Sequence, residues 1–339
     1  MMLVDNSVGA TVTRFLHEQL WDASVRFADT PVLGGSTSWL RSIPGRTPQR
    51  ESADVLVSVA PENAFPDLAV SFQPDIVVGS SIQRPAWRQI KTACQDLGIP
   101  AVLYLREKTA LQHLEPIYAG HAAVIANSRS LQNDARTLYN VEASFIPSIV
   151  DLSESQVNST RERVLLVNPR VEHGVDIIDE LAEAFRTVEF VLQESWKLDQ
   201  AEKRHVERLL SRHSNVIFRP RTNNPAEIYR DAAIVIAPHR IDNRPRTILE
   251  AQNNAIPVIA SDLPGLVESV GTGGIIAHDI NDWVDAMQGL WQDPVFYRTY
   301  EQAAREHANR PEVRPDNIAT NFLSVIEETI ADYEREIAA

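Results

Sequence analysis

Basic residues recur directly after apolar runs in the second half of the chain. VLLVN is followed by Arg170 and His173, VEFVL by Lys197, NVIF by Arg219 and Arg221, and AAIVIAP by His239, Arg240, Arg244 and Arg246. Guanidinium and ammonium groups gathered on one edge are the chemistry of an anion site, and the planar fork of Arg suits a phosphate or diphosphate. The whole chain carries a formal charge of −14, from 46 acidic and 32 basic side chains. That balance argues against a protein that wraps nucleic acid or lies on anionic lipid, so an anionic ligand has to be met by local cations.

The elements that would position these cations are short Val- and Ile-rich runs: LVDN near residue 3, DIVVG from Asp75, AVLYL from Ala101, AAVIAN from Ala122 and VLLVN from Val164. Such runs suit strands covered on both faces, as in parallel sheets flanked by helices. Val175, Ile178, Leu181, Ala182 and Phe185 recur at helical spacing between the runs. The class expected is therefore α/β, and 339 residues suit about two domains. A polar stretch, Asp151 to Arg163, separates the two strand series and is expected to be the linker. In open α/β sheets ligands sit beyond the carboxyl ends of the strands, which is where the cations fall.

Several chemistries lose support. No G-x-x-x-x-G-K-S/T and no G-x-G-x-x-G after a strand is present; Gly271, Gly273 and Gly274 read as a turn. No G-x-S-x-G elbow occurs, and the nine His form no H-E-x-x-H, so neither a serine hydrolase nor a metal is expected. A single cysteine, Cys94, cannot form an intrachain disulfide. Asp5 interrupts what a secretory leader would need, and no apolar run approaches the ~20 residues of a membrane span. A cytoplasmic protein without an integral membrane segment is expected. Gly9 follows the first strand and would let backbone approach a ligand.

The segment from Ala233 to Val270 resembles the nucleotide-sugar-binding core of family-4 retaining glycosyltransferases of the GT-B fold. Asp242 stands eight positions before Glu250, Ala255 precedes Ile256-Pro257-Val258, and Gly265 and Glu268 follow. Fainter echoes are VNPRVEHG at 167, PDIVVGSS at 74, IPAVLYLRE at 99, VIANSRSLQNDARTLYNV at 124 and FIPSIVDL at 145. The resemblance implies two Rossmann-like parallel-sheet domains facing a central cleft. An acceptor-side domain would span 1–150, a nucleotide-sugar-binding domain 151–310, and a C-terminal helix in 311–339 would cross back to the first domain.

Carried over residue by residue, the resemblance implies that Glu250 holds the ribose hydroxyls, Asp242 faces the transferred sugar, and Arg106 marks the place of a catalytic group. Together with the strand-end cations and the turn at Gly9, it gives an expected donor site of Gly9, Arg170, His173, Lys197, Arg219, Arg221, Arg244, Arg246, Thr247 and Glu250. The activity implied is metal-independent, cofactor-free transfer of a sugar from a nucleotide diphosphate to a hydroxyl of a glycan, lipid or small molecule, with retention and with no nucleic-acid partner. The sequence departs from the family at Asp242 (for Glu), Asn243-Arg244-Pro245 (for Gly-Phe-Gly), Asn168 (for Arg), His173 (for Lys) and Arg106-Glu107 (for His-Asp). These departures keep open a catalytically silent GT-B protein that binds a nucleotide sugar or a protein partner, and the shared two-domain architecture keeps open a nucleotide-sugar epimerase.

Overall fold

Strands that are apolar along their whole length need cover on both faces, and this chain supplies it twice. A computed structural model describes residues 2–5, 39–40, 56–57, 61–80, 84–115 and 122–338. Two compact units result: Met1–Ile149 together with Pro315–Ala339, and Val150–Arg314.

In the first unit, β1 (Met2–Asp5), β4 (Val77–Ser80), β5 (Ala101–Leu105), β6 (Ala123–Ala126) and β7 (Ser144–Phe145) form a parallel sheet in that order. Trp39–Leu40 (β2) and Leu56–Val57 (β3) pair separately, antiparallel. Alternation along each strand divides the core. Val77, Leu103 and Val124 pack under Phe65 of α1 (Pro61–Phe72), Trp87 of α2 (Arg84–Asp96) and Leu131 of α3 (Arg129–Tyr139). Val78, Val102, Tyr104 and Ile125 point the other way and meet Ile318, Phe322 and Ile326 of the C-terminal helix Pro315–Ala338, so that helix belongs to this unit's core.

The second unit has six parallel strands: β8 (Arg163–Val167), β9 (Glu189–Gln193), β10 (Val216–Arg219), β11 (Ala232–Ala237), β12 (Val258–Ser261) and β13 (Gly274–Ala277). Their order is β10-β9-β8-β11-β12-β13. One face packs on α4 (Ile177–Ala184), α5 (Gln200–Arg212) and Trp283 and Met287 of the helix Ile280–Gln292. The other packs on Tyr229 of α6 (Pro225–Tyr229), Ile248 and Ala251 of α7 (Arg246–Asn253) and Leu266 of α8 (Pro264–Val270). From β8 the chain adds strands on one side, then returns to place β11 on the other. The neighbours β8 and β11 thus form the switch point, the place at the carboxyl ends of the strands where open α/β sheets bind their ligands.

The polar stretch 151–163 is held to this second unit. Asn254 carries it at the end of α7, accepting from Val157 N at 2.7 Å and donating to Ser155 O at 2.8 Å. Among the described residues no helix is long and apolar enough to cross a membrane, and no cluster of three His, Cys, Asp or Glu could hold a metal.

Candidate functional site

The loop after β8 is shaped by Asn168, which takes the left-handed conformation at φ 57°, tolerated by Asn better than by most residues. Its carbonyl faces His173 Nδ1 at 3.0 Å. Its side-chain Oδ1 accepts from Ser195 N at 3.0 Å and Trp196 N at 2.7 Å, tying the loops after β8 and β9 together. Gly174 follows at φ 70°, and a Cβ there would lie 1.8 Å from the carbonyl oxygen of Pro238. Only glycine therefore allows the loops after β8 and β11 to touch at the switch point.

Across that contact the rings of His173 and His239 stack, with centroids 4.4 Å apart and planes 13° from parallel. Both side chains are buried. Trp196 sits against His173 at 5.8 Å, and the Arg170 guanidinium lies 5.5 Å from the Trp196 ring. Arg170 also donates to Lys197 O and pairs with Glu202 and Glu172, each at 3.3 Å. Burial lowers the His173 pKa, while Glu172 and Glu202 act in the opposite sense. Burial, helped by the neighbouring His173, pushes His239 down to about 4.

The loop after β11 carries the carboxylates. Asp242 Oδ1 accepts from Gly265 N at 2.7 Å, so Asp242 caps α8 from a distant loop. A Cβ at Gly265 would stand 2.5 Å from the Asn243 carbonyl oxygen, and glycine is what permits the approach. Pro245 precedes α7 and offers no side-chain cap, which leaves the first amides of that helix, at Arg246 and Thr247, as uncapped donors with the dipole's positive end behind them. One turn further on, Glu250 Oε2 accepts from the Tyr229 hydroxyl at 2.5 Å. Tyr229 is fully buried; burial first, and the Glu250 carboxylate second, hold its pKa well above the ordinary value, so it stays a donor.

The cations of the strand ends divide. Arg170 and His173 meet near Trp196, Arg246 lies exposed at the start of α7, and Lys197 and Arg221 are exposed. Arg219 is bound instead to Asp231, which also holds Arg163 at 2.5 Å. Burial alone would raise the Asp231 pKa, but hydrogen bonds from the two guanidinium groups outweigh it and keep it below the ordinary carboxylate value. Arg244 is 8% exposed and lies 3.6 Å from both Glu268 and Glu312. Neither Arg219 nor Arg244 is therefore a free cation in this conformation. Arg106 follows β5 in the first unit, where its carbonyl accepts from Asn127 at 3.1 Å. Gly9 lies outside the described residues. Three contributors escaped sequence reasoning altogether: Tyr229, Trp196 and the stacking of His239.

Two parallel-sheet α/β units of this kind define the GT-B class of fold. Anabaena HepE, solved with UDP-glucose, aligns with a TM-score of 0.68 at 16% identity, covering 79% of this chain and 82% of that one. Sucrose-phosphate synthase from Thermosynechococcus elongatus aligns at 0.66 and 18% identity, over 80% of this chain and 77% of that one. Residues 162–293 match the family model for group 1 glycosyl transferases, wholly within the second unit. The D-inositol 3-phosphate glycosyltransferase of Kribbella flavida is 34% identical over 87 residues, 24% of this chain and 20% of its own length. The chain thus matches about a fifth of the length of such curated relatives.

Proposed function

We propose that the protein is a glycosyltransferase that moves a sugar from a nucleoside diphosphate to a hydroxyl acceptor, with retention at the anomeric carbon and without a metal. The observation that carries this reading is Glu250. It sits one turn inside α7, held by a buried tyrosine, in the segment that matches the group 1 glycosyl transferases. A carboxylate fixed in that way can accept from two vicinal ribose hydroxyls, a charge-assisted contact that depends on its orientation.

In this reading the open amides of Arg246 and Thr247 meet the diphosphate, a ready partner for a helix N-terminus. The exposed Lys197 and Arg221 supply positive charge to the leaving diphosphate as the glycosidic bond breaks, with His173 and Arg170, which is already shared with Glu172 and Glu202, on the loop after β8. Preorganised charge of this kind lowers a barrier without a metal. Asp242 borders the transferred sugar and keeps α8 in place. Arg219 and Arg244 serve as supports, through Asp231 and Glu268. The UDP-glucose bound to Anabaena HepE makes a uridine nucleotide the first donor to try.

The test is transfer from a panel of nucleotide sugars to hydroxyl acceptors, with the product anomer read by NMR. Wild type should transfer with retention, and Glu250→Ala should lose donor-dependent transfer; undiminished transfer by Glu250→Ala would remove the ribose contact. A silent binding protein is favoured by one observation, the engagement of Asp242 as a helix cap and of Arg244 in ion pairs. Nucleotide binding with neither transfer nor hydrolysis across the panel would select it. Conversion of the free donor sugar without an acceptor would select an epimerase.

A further inference from the structure

His239 has no role in the account above, yet it lies flat against His173 at the switch point. We propose that the two rings form one proton-accepting unit for the donor's diphosphate. Binding of a nucleoside diphosphate sugar draws a single proton from solvent onto His173 Nε2, with His239 as its neutral, stacked support. This inference rests on the reading of this edge as the donor site.

Hydrogen-bond chemistry fixes the direction. The partner of His173 Nδ1 is the carbonyl of Asn168, which only accepts, so in the neutral ring Nδ1 carries the hydrogen and Nε2 presents a lone pair. His239 Nδ1 faces Asn243 Oδ1 at 3.0 Å, with the same result for its own Nε2. No described residue bonds either Nε2. Diphosphate oxygens are acceptors too. A lone pair against an oxyanion repels, whereas a protonated Nε2 becomes a charge-assisted donor.

The surroundings select which ring is charged and how many protons enter. Glu172 and Glu202 face His173 and favour the cation there; Arg170 and burial oppose it until an anion arrives. His239 is faced by His173 and Asn243, and both its burial and His173 oppose a charge on it. Two imidazolium rings with centroids 4.4 Å apart would repel, which limits uptake to one proton. Asp176, three residues beyond His173, is itself paired with Arg240, the residue after His239. No covalent bond forms or breaks in this step, and the proton returns to solvent when the nucleotide leaves.

Calorimetric titration of the full chain with UDP-glucose, near pH 8 and in buffers of different ionisation enthalpy, reads the proton directly. The diphosphate of UDP-glucose is a diester with no group titrating near neutrality, so any uptake belongs to the protein. Wild type should take up close to one proton, and its Kd should weaken by up to about tenfold per pH unit on the alkaline side. His173→Lys carries a permanent cation; it should still bind, with uptake abolished and the pH dependence flattened. His239→Phe keeps a flat ring on the stack and should retain the uptake. Binding by wild type with no proton uptake, or uptake that survives in His173→Lys, would overturn the proposal while leaving the donor reading intact. Failure of UDP-glucose, ADP-glucose and GDP-mannose all to bind would overturn both.

Discussion

Replacing Tyr229 by Phe removes one oxygen and leaves the buried ring in place. The hydroxyl lost is the donor 2.5 Å from Glu250 Oε2. Hydrogen bonds to a charged partner contribute about 1.5–3 kcal/mol, more than neutral ones. Glu250 is only partly buried, so water can replace the phenol, and the cost to folding should lie near the lower end of that range. The orientation of the carboxylate is not restored by water. If Tyr229 aims Glu250 at the ribose, nucleotide binding should weaken by about tenfold to a hundredfold, the equivalent of about 1.4–2.8 kcal/mol. Calorimetric titration with UDP, beside thermal unfolding without ligand, separates the two effects. A lowered Tm with an unchanged Kd would refute the reasoning and reduce Tyr229 to a tie between α6 and α7.

Two further outcomes follow from the loops themselves. Gly174→Ala should destabilise the second unit by about 2–4 kcal/mol, since the new methyl meets the Pro238 carbonyl and the backbone is left-handed there; the midpoint of urea unfolding measures it. His307, in the helix Pro294–Ala308, is pushed by burial from 6.5 to about 4. The unfolded chain therefore binds a proton that the folded one refuses. This contribution to stability is complete above pH 6.5, is lost as pH falls toward 4, and changes no further below that. His307→Gln should flatten the dependence of unfolding free energy on pH in that window by up to one proton, about 1.4 kcal/mol per pH unit.

The strands were legible because a parallel sheet leaves an unbroken apolar run in the sequence: AVLYL is β5, residue for residue, and VLLV fills all but the first position of β8. Its spacing from Asp242 singled out Glu250 in the sequence, and the structure adds only that it accepts from the buried Tyr229. What the sequence could not display is contact made by topology. His173 and His239 are far apart along the chain and meet because β8 and β11 are neighbours at the point where strand order reverses. The partner of Asp242 is the backbone amide of Gly265, and amides leave no trace in a residue pattern. Positive charge after a strand looked like one rim, but Arg219 found Asp231 and Arg244 found Glu268, partners that spacing along the chain does not announce.

The central claim is that the carboxyl edge of β8 and β11, with Glu250 beside it, binds a nucleoside diphosphate. Thermal unfolding of wild type and Glu250→Ala across a panel of nucleoside diphosphates tests it most directly. A ligand that binds only native protein stabilises by about 2.7 kcal/mol at a hundredfold excess over Kd. The account predicts that one nucleotide raises the wild-type transition and that Glu250→Ala abolishes most of that rise. No shift with any nucleotide, or an equal shift in the variant, would contradict it.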